Sequence, residues 1–251
     1  MKDTPGNRAE YGMVADGHGF EDSPDCERIS GGVNSKGSRA VAIGRQANML
    51  QWGFYGAPDR MTESARRAFL NAIVYMRRFD GDAPVVQKRS VGRSWLQQYL
   101  EMLAGLSEAD RGQRGENSLA AYLLRNFPAE LTQDKVDVAR LQRWYDDNAE
   151  YLVGNDSHAV AVDADLQRLH LSNRKPEFLD WLLQHLDKDS ADATDAQALQ
   201  LAHKYLDADA NADGATLAKW IRSNRQFLFF SDTGGYRWFV DRNAQRRVQT
   251  R

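Results

Sequence analysis

The segment Gly17-His18-Gly19-Phe20-Glu21-Asp22-Ser23-Pro24-Asp25-Cys26-Glu27 gathers a histidine, four carboxylates and the chain's single cysteine. An imidazole beside carboxylates can hold a divalent cation, and a cation there would activate water for hydrolysis. The spacing matches no zinc or non-haem iron pattern, so the identity of any metal is unknown. A solvated, turn-rich acidic loop is the simpler account of the same residues. Cys26 has only Arg28 as a basic neighbour and no Gly-rich strand-to-helix elbow around it, so it does not read as a nucleophile. No residue is assigned a catalytic role, and the protein reads as leaning away from an enzyme.

A second polar group follows in Gly44-Arg45-Gln46-Ala47-Asn48 and Gln51-Trp52-Gly53-Phe54-Tyr55-Gly56. Arg45, Gln46, Asn48, Trp52 and Tyr55 could form a polar-aromatic patch suited to a sugar or a peptide, and Arg45, Asn48 and Trp52 are carried forward from it. Together with His18, Glu21 and Asp22 they are the ligand-binding candidates. Equally, Trp52 and Phe54 could pack under the helix that follows. Asp209, Asn211, Asp213 and Gly214 imitate the start of a calcium-binding EF-hand loop. Trp220 stands where its bidentate Glu is needed, so the stretch reads as the polar lead-in to a helix. No cofactor is expected.

The elements that would position these groups are legible from periodicity. Residues 1–38 are rich in Gly, Asp, Ser and Pro and read as loops. Ala40–Ile43 and Met49–Phe54 read as two short strands joined through Gly44–Asn48. Thr62 is placed as an N-cap with Glu63 in the first turn of a helix. Ala65, Ala68/Phe69, Ala72/Ile73 and Met76 recur on one face of it, while Arg66, Arg67, Asn71, Arg77 and Arg78 face away. Asp80–Pro84 reads as a linker. Beyond residue 90 the pattern is mainly helical, with candidates at 93–105, 117–127, 135–152, 175–186, 194–206 and 214–229.

The C-terminal half repeats itself. Leu141, Trp144, Asn148, Leu152 and Asp156 recur at one constant offset as Leu217, Trp220, Asn224, Leu228 and Asp232. After a two-residue slip, Val162-Asp163 and Gln167-Arg168 match Val240-Asp241 and Gln245-Arg246. Each copy of the helix is followed by a turn and an extended segment, Ala159–Val162 and Tyr236–Val240. Duplication points to stacked units in which matching residues are architectural. Trp144, Asn148, Asp156, Trp220, Asn224 and Asp232 are therefore read as structural, with the Asp156 and Asp232 turns capped by side chains and Asp163 and Asp241 as helix N-caps.

Composition bounds the function classes. The chain has 251 residues, of which 42% are hydrophobic and 27% charged, the balance of a folded protein with a sizeable core. With 33 basic against 35 acidic residues no overall field favours nucleic acid or an anionic membrane, and neither is expected as a partner. Arg242, Arg246, Arg247 and Arg251 form a basic end that reads as a solvated tail. One cysteine excludes an internal disulfide framework. With no apolar signal core near Met1, a cytoplasmic location is the expectation for the chain as written, open to revision if a segment precedes it.

Residues 17–25, Ala42–Phe54, Met61–Glu63 and the helix running to Gly81 resemble the last part of a ThuA-like domain. That family belongs to the class I glutamine-amidotransferase-like group and occurs in multidomain proteins of environmental bacteria. There a late strand pair with a Gly-Arg turn, as at Gly44-Arg45, precedes a closing helix. The duplicated Trp-x3-Asn-x3-Leu helix resembles the helical, HEAT-like tails of such proteins. The resemblance implies a shortened relative with a link to carbohydrate metabolism. It carries no amidotransferase chemistry to any residue, because the Cys-containing elbow is missing.

The expectation is thus a predominantly helical α+β protein: a β-hairpin and helix over 1–84, then helical units over 85–171 and 172–251, each closed by a short β element. Its expected role is a non-catalytic interaction scaffold associated with carbohydrate-related enzymes, with a protein or carbohydrate partner and an oligomeric state left open. The alternative is a sugar-binding or metal-assisted hydrolase site on the 17–27 loop and 44–56 hairpin.

Overall fold

The computed structural model describes residues 12–20, 22–34, 37–54, 57–115, 117–133, 135–154, 159–186 and 192–249; Glu21, Tyr55 and Asp156 lie outside them. The architecture is α+β and predominantly helical, with small antiparallel sheets. Two compact units are present, Met1–Val85 with Asp241–Arg251, and Val86–Val240. The sequence reading placed changes at 84/85 and 171/172, whereas the units change over at Val85/Val86 and Val240/Asp241.

The first unit is built on an antiparallel sheet in the order β1 (Cys26–Asn34), β2 (Gly37–Gln46), β3 (Met49–Trp52). β1 corrects the reading of residues 1–38 as loops. It carries no clean alternation of apolar residues, so periodicity could not reveal it; its ladder to β2 rests on main-chain pairing. Register slips between Arg28 and Ser30 and again between Ser30 and Gly31 mark bulges. Gly32 is where β1 and β2 crowd: a Cβ there would lie 3.2 Å from the Ala42 Cβ and 2.9 Å from Val14. β2 runs on to Gln46, past the expected connection, and turns through Ala47 (φ 48°) and Asn48 into β3.

Helix α1 (Glu63–Met76) opens at Thr62, whose Oγ1 accepts the Ala65 N–H at 3.3 Å. Phe69, Ala72, Tyr75 and Met76 are half-buried, and no residue of the helix is fully buried. Ile73, read as part of the inward stripe, is 50% exposed.

The second unit contains α2 (Arg93–Gly105), α3 (Glu108–Arg111), α4 (Leu119–Leu124), α5 (Ala129–Thr132) and α6 (Val138–Asn148), then the hairpin β4 (Leu152–Gly154) and β5 (Val160–Val162). It continues with α7 (Ala164–Arg168), α8 (Pro176–Leu186), α9 (Ala193–Tyr205), α10 (Gly214–Asn224) and the hairpin β6 (Leu228–Ser231) and β7 (Arg237–Val240). The run α6, β4, β5, α7 reappears as α10, β6, β7, α11 (Arg242–Gln249), at the two offsets carried by the sequence. Two apolar cores follow the copies. One is centred on Leu96, Leu100, Leu123, Leu141 and Leu152, the other on Phe178, Leu182, Leu201, Tyr205 and Ile221. They exchange side chains: Leu166 of the first copy lies in the second core, and Tyr236 of the second copy lies in the first. Tyr236 is fully buried at a φ of 59°, a left-handed conformation that burial must hold in place.

Helix α11 groups with the first unit, which corrects the reading of Arg246 and Arg247 as part of a solvated tail. Asn243 clasps the main chain of Ala83, accepting its N–H at 3.2 Å and donating to its carbonyl at 2.9 Å. Arg246 and Arg247 both reach the buried Asp82, the latter at 2.9 Å. The stretch 80–84 is therefore pinned rather than a free linker.

Candidate functional site

The bulged β sheet sends the sequence-predicted site residues to opposite faces. Ile43 pairs with Trp52 and Arg45 with Leu50 and Glu27, so the side chains of Arg45, Trp52 and Glu27 share one face. Helix α1 and the turn after it cover that face. Trp52 meets Phe69 edge to face at a centroid distance of 5.1 Å, and the Arg45 guanidinium lies 3.7 Å over the Phe79 ring. Gly44 faces the other way, where an added Cβ would strike the Phe20 ring at 2.6 Å. Phe20 closes the 3-10 turn Gly17–Gly19 that contains His18, so this turn lies on the face opposite Arg45 and Trp52.

Arg45 and Trp52 each have a structural occupation. Arg45 is buried, donating from Nε to Glu27 at 3.0 Å and from Nη1 to the Ala47 carbonyl at 3.0 Å. Tyr75 donates its hydroxyl to the same Glu27 oxygen at 2.6 Å. Burial pushes the Glu27 pKa up, but the bonds from Tyr75 and Arg45 outweigh it and hold the carboxyl below its ordinary value. His18 is buried, and its main-chain N–H donates to the Asp16 carboxylate at 3.0 Å. Asp22 is half-buried, and Asn48 is exposed on the β2–β3 turn. Trp52 packs under α1, the packing alternative of the sequence reading. The structure does not bring His18, Arg45 and Trp52 to one cleft. Burial, then the charges of Asp25 and Asp22 with Arg45 opposing them, pushes the Cys26 thiol up to about 12, so it stays protonated. Among the described residues no group of three or more His, Cys, Asp or Glu side chains could hold a metal.

The repeat residues are held by hydrogen bonds within the fold. Asn148 and Asn224 each donate to the carbonyl of the Trp one turn earlier, Trp144 and Trp220, both at 2.8 Å. Asn148 also accepts from Gln167 at 3.0 Å, which ties α7 to the end of α6. Asp163 caps α7 through the Leu166 N–H at 3.1 Å and takes the Tyr205 hydroxyl at 2.7 Å and Lys204. Burial raises its pKa, while the bonds from Lys204 and Tyr205 lower it further and keep it ionised.

The turn at Asp232 is closed by its main-chain carbonyl, which accepts from Gly235 and Tyr236, and by the Ser231 hydroxyl accepting the Gly234 N–H at 2.9 Å, while the Asp232 carboxylate reaches Arg93. Oδ2 accepts the main-chain N–H of Arg93 at 2.9 Å, and Oδ1 pairs with the Arg93 guanidinium. Gly92 occupies the N-cap of α2 without a side chain, so a carboxylate distant in sequence does the capping. Arg93 also reaches the Ala149 carbonyl and, at 3.0 Å, the Oδ1 of Asn173, and lies 4.8 Å over the Tyr236 ring. Fully buried Asn173 donates its side-chain amide to the Leu152 carbonyl at 3.1 Å, and its main-chain carbonyl accepts from the Trp238 indole at 2.7 Å. This buried clasp joins both hairpins to α2, and sequence reasoning missed it because neither Arg93 nor Asn173 belongs to the repeat.

Among the described residues, the outer face of α1 carries an exposed apolar stripe. Leu70, Ile73 and Val74 are 55%, 50% and 67% exposed on adjacent helical positions. Arg66 and Arg67 lie one turn before this stripe and Arg77 and Arg78 one turn after it, all exposed. Among the described residues no helix is long and apolar enough to cross a membrane. No family model, curated protein or solved structure matches the chain significantly.

Proposed function

We propose that the protein is a non-catalytic interaction module whose first unit docks a protein partner on the outer face of α1. The observation that supports this is the stripe Leu70, Ile73 and Val74, an apolar surface on a helix that already turns a separate face to its sheet. Arginines at both ends set the chemistry of the occupant: an acidic amphipathic helix laid along the stripe. The cysteine is protonated, and the buried carboxylates Asp25, Asp82 and Asp163 are each committed to holding the fold. An enzyme of carbohydrate metabolism as the partner is the part of the proposal carried by the ThuA-like resemblance alone.

A photo-crosslinking residue at Ile73 tests the reading in an extract of the source cells. Cross-links to an acidic amphipathic segment of another protein, lost in Leu70→Asp with the melting temperature kept, are expected. Cross-links only to a second copy of the chain, or none, would refute it.

A further inference from the structure

In the second unit, Lys88, Arg89, Trp95, Tyr99, Tyr122 and Arg125 line a hollow of about 300 Å³ completed by Ser90, Val91 and Asn126. Three cations converge there and no carboxylate lines the wall. None of the three has an ion-pair partner among the described residues. Cations gathered without a counter-charge repel one another, and an anion in the hollow relieves that repulsion.

The walls are fixed before any ligand arrives. The Arg89 and Ser90 N–H groups donate to the Thr233 carbonyl at 2.7 and 3.1 Å, and the Ser90 hydroxyl donates to the Asp232 carbonyl at 2.6 Å. On the facing wall, Asn126 donates to the Tyr122 and Leu123 carbonyls at 2.9 and 3.1 Å, and its own carbonyl accepts the Val160 N–H at 3.1 Å. Lys88 sits 4.1 Å over the Trp95 ring and Arg125 4.5 Å over the Tyr122 ring, so aromatic faces hold both cations in place. Trp95, Tyr99 and Tyr122 form an edge-to-face run with centroid separations of 5.7 and 6.1 Å.

The geometry points to a binding site for a phosphate monoester carried on a flat ring, a nucleoside monophosphate in its simplest form. Guanidinium forks and an ammonium match phosphate oxygens, while aromatic rings and guanidinium planes are the surfaces on which bases stack. The hollow is at the small end of ligand pockets, which suits a mononucleotide. This reading is independent of the α1 surface, since every residue used lies within the second unit.

Calorimetric titration of the full chain with AMP, adenosine and inorganic phosphate is the test. AMP binds saturably and weakens with added salt, and adenosine and phosphate each bind at least about 10-fold more weakly. Lys88→Gln and Arg125→Gln each weaken AMP by about 10-fold or more, and both are exposed positions at which the melting temperature should hold. Absence of saturable AMP binding overturns the site, as does affinity unchanged in both variants. Phosphate binding as tightly as AMP refutes the ring component, and adenosine binding as tightly refutes the phosphate component.

Discussion

Asp232→Ala should be among the most destabilising single substitutions in the second unit. The side chains of Arg93 and Asp232 are only 5% and 15% exposed, and the carboxylate also caps the main chain at Arg93. Its removal leaves a buried guanidinium with the Ala149 carbonyl, the Asn173 amide oxygen and the Tyr236 ring, but no counter-charge. Breaking such a buried pair costs about 3–5 kcal/mol. At a urea m-value of about 2 kcal/mol/M, the unfolding midpoint should fall by about 2 M with m itself unchanged. An exposed pair gives the scale: Arg67→Ala beside Glu63, at 74% and 76% exposure, should cost about 0.5 kcal/mol or less. Equilibrium urea unfolding followed by tryptophan fluorescence reads all of these. Arg93→Met with Asp232→Leu removes the orphaned charge along with its partner, and should cost less than Asp232→Ala alone. A loss below about 1 kcal/mol for Asp232→Ala, or a double variant as costly as the sum of the single ones, would refute the clasp as the link between the copies.

Two further outcomes follow from protonation. Burial raises the pKa of Glu150, but the neighbouring Ser172 hydroxyl and the Arg174 and Lys175 cations outweigh it and hold the carboxyl at about 2. A lowered folded-state pKa stabilises above the unfolded value of 4.5 and is lost as pH falls towards about 2. Glu150→Gln should therefore cost about 1 kcal/mol at neutral pH, the group being partly exposed, with the gap in melting temperature closing over that acid window; a gap independent of pH sinks the assignment. With its pKa at about 12, Cys26 presents only about one thiolate in 10⁴ at pH 8. Native protein should react with a thiol-disulfide reagent at least about 100-fold more slowly than unfolded protein, and equal rates would contradict the burial that raises the thiol.

Much of the second unit was legible because its signals are local. The Trp-x3-Asn-x3-Leu pattern, the helical stripes of α6 and α10 and the cap at Asp163 each involve residues within a turn or two of one another. β1 was not legible. A strand of Glu, Arg, Ser and glycines shows no alternation, and its existence depends on the ladder that β2 offers. The outer stripe of α1 was partly hidden for a related reason: Ile73 was grouped with the inward residues, and Leu70 and Val74 were left out of any face.

By itself the sequence determined the duplication and the longer helices α1, α2, α6, α8, α9 and α10. Short-range side-chain to main-chain bonds and amphipathic periodicity are written in neighbouring residues. Only tertiary structure decided that Asp232 reaches Arg93, that Leu166 and Tyr236 trade cores, and that His18 lies across the sheet from Arg45 and Trp52. Each of these depends on register and on pairing between residues far apart in the chain. A single bulge reverses which face a side chain takes, and a buried guanidinium recruits whichever carboxylate the fold brings within reach.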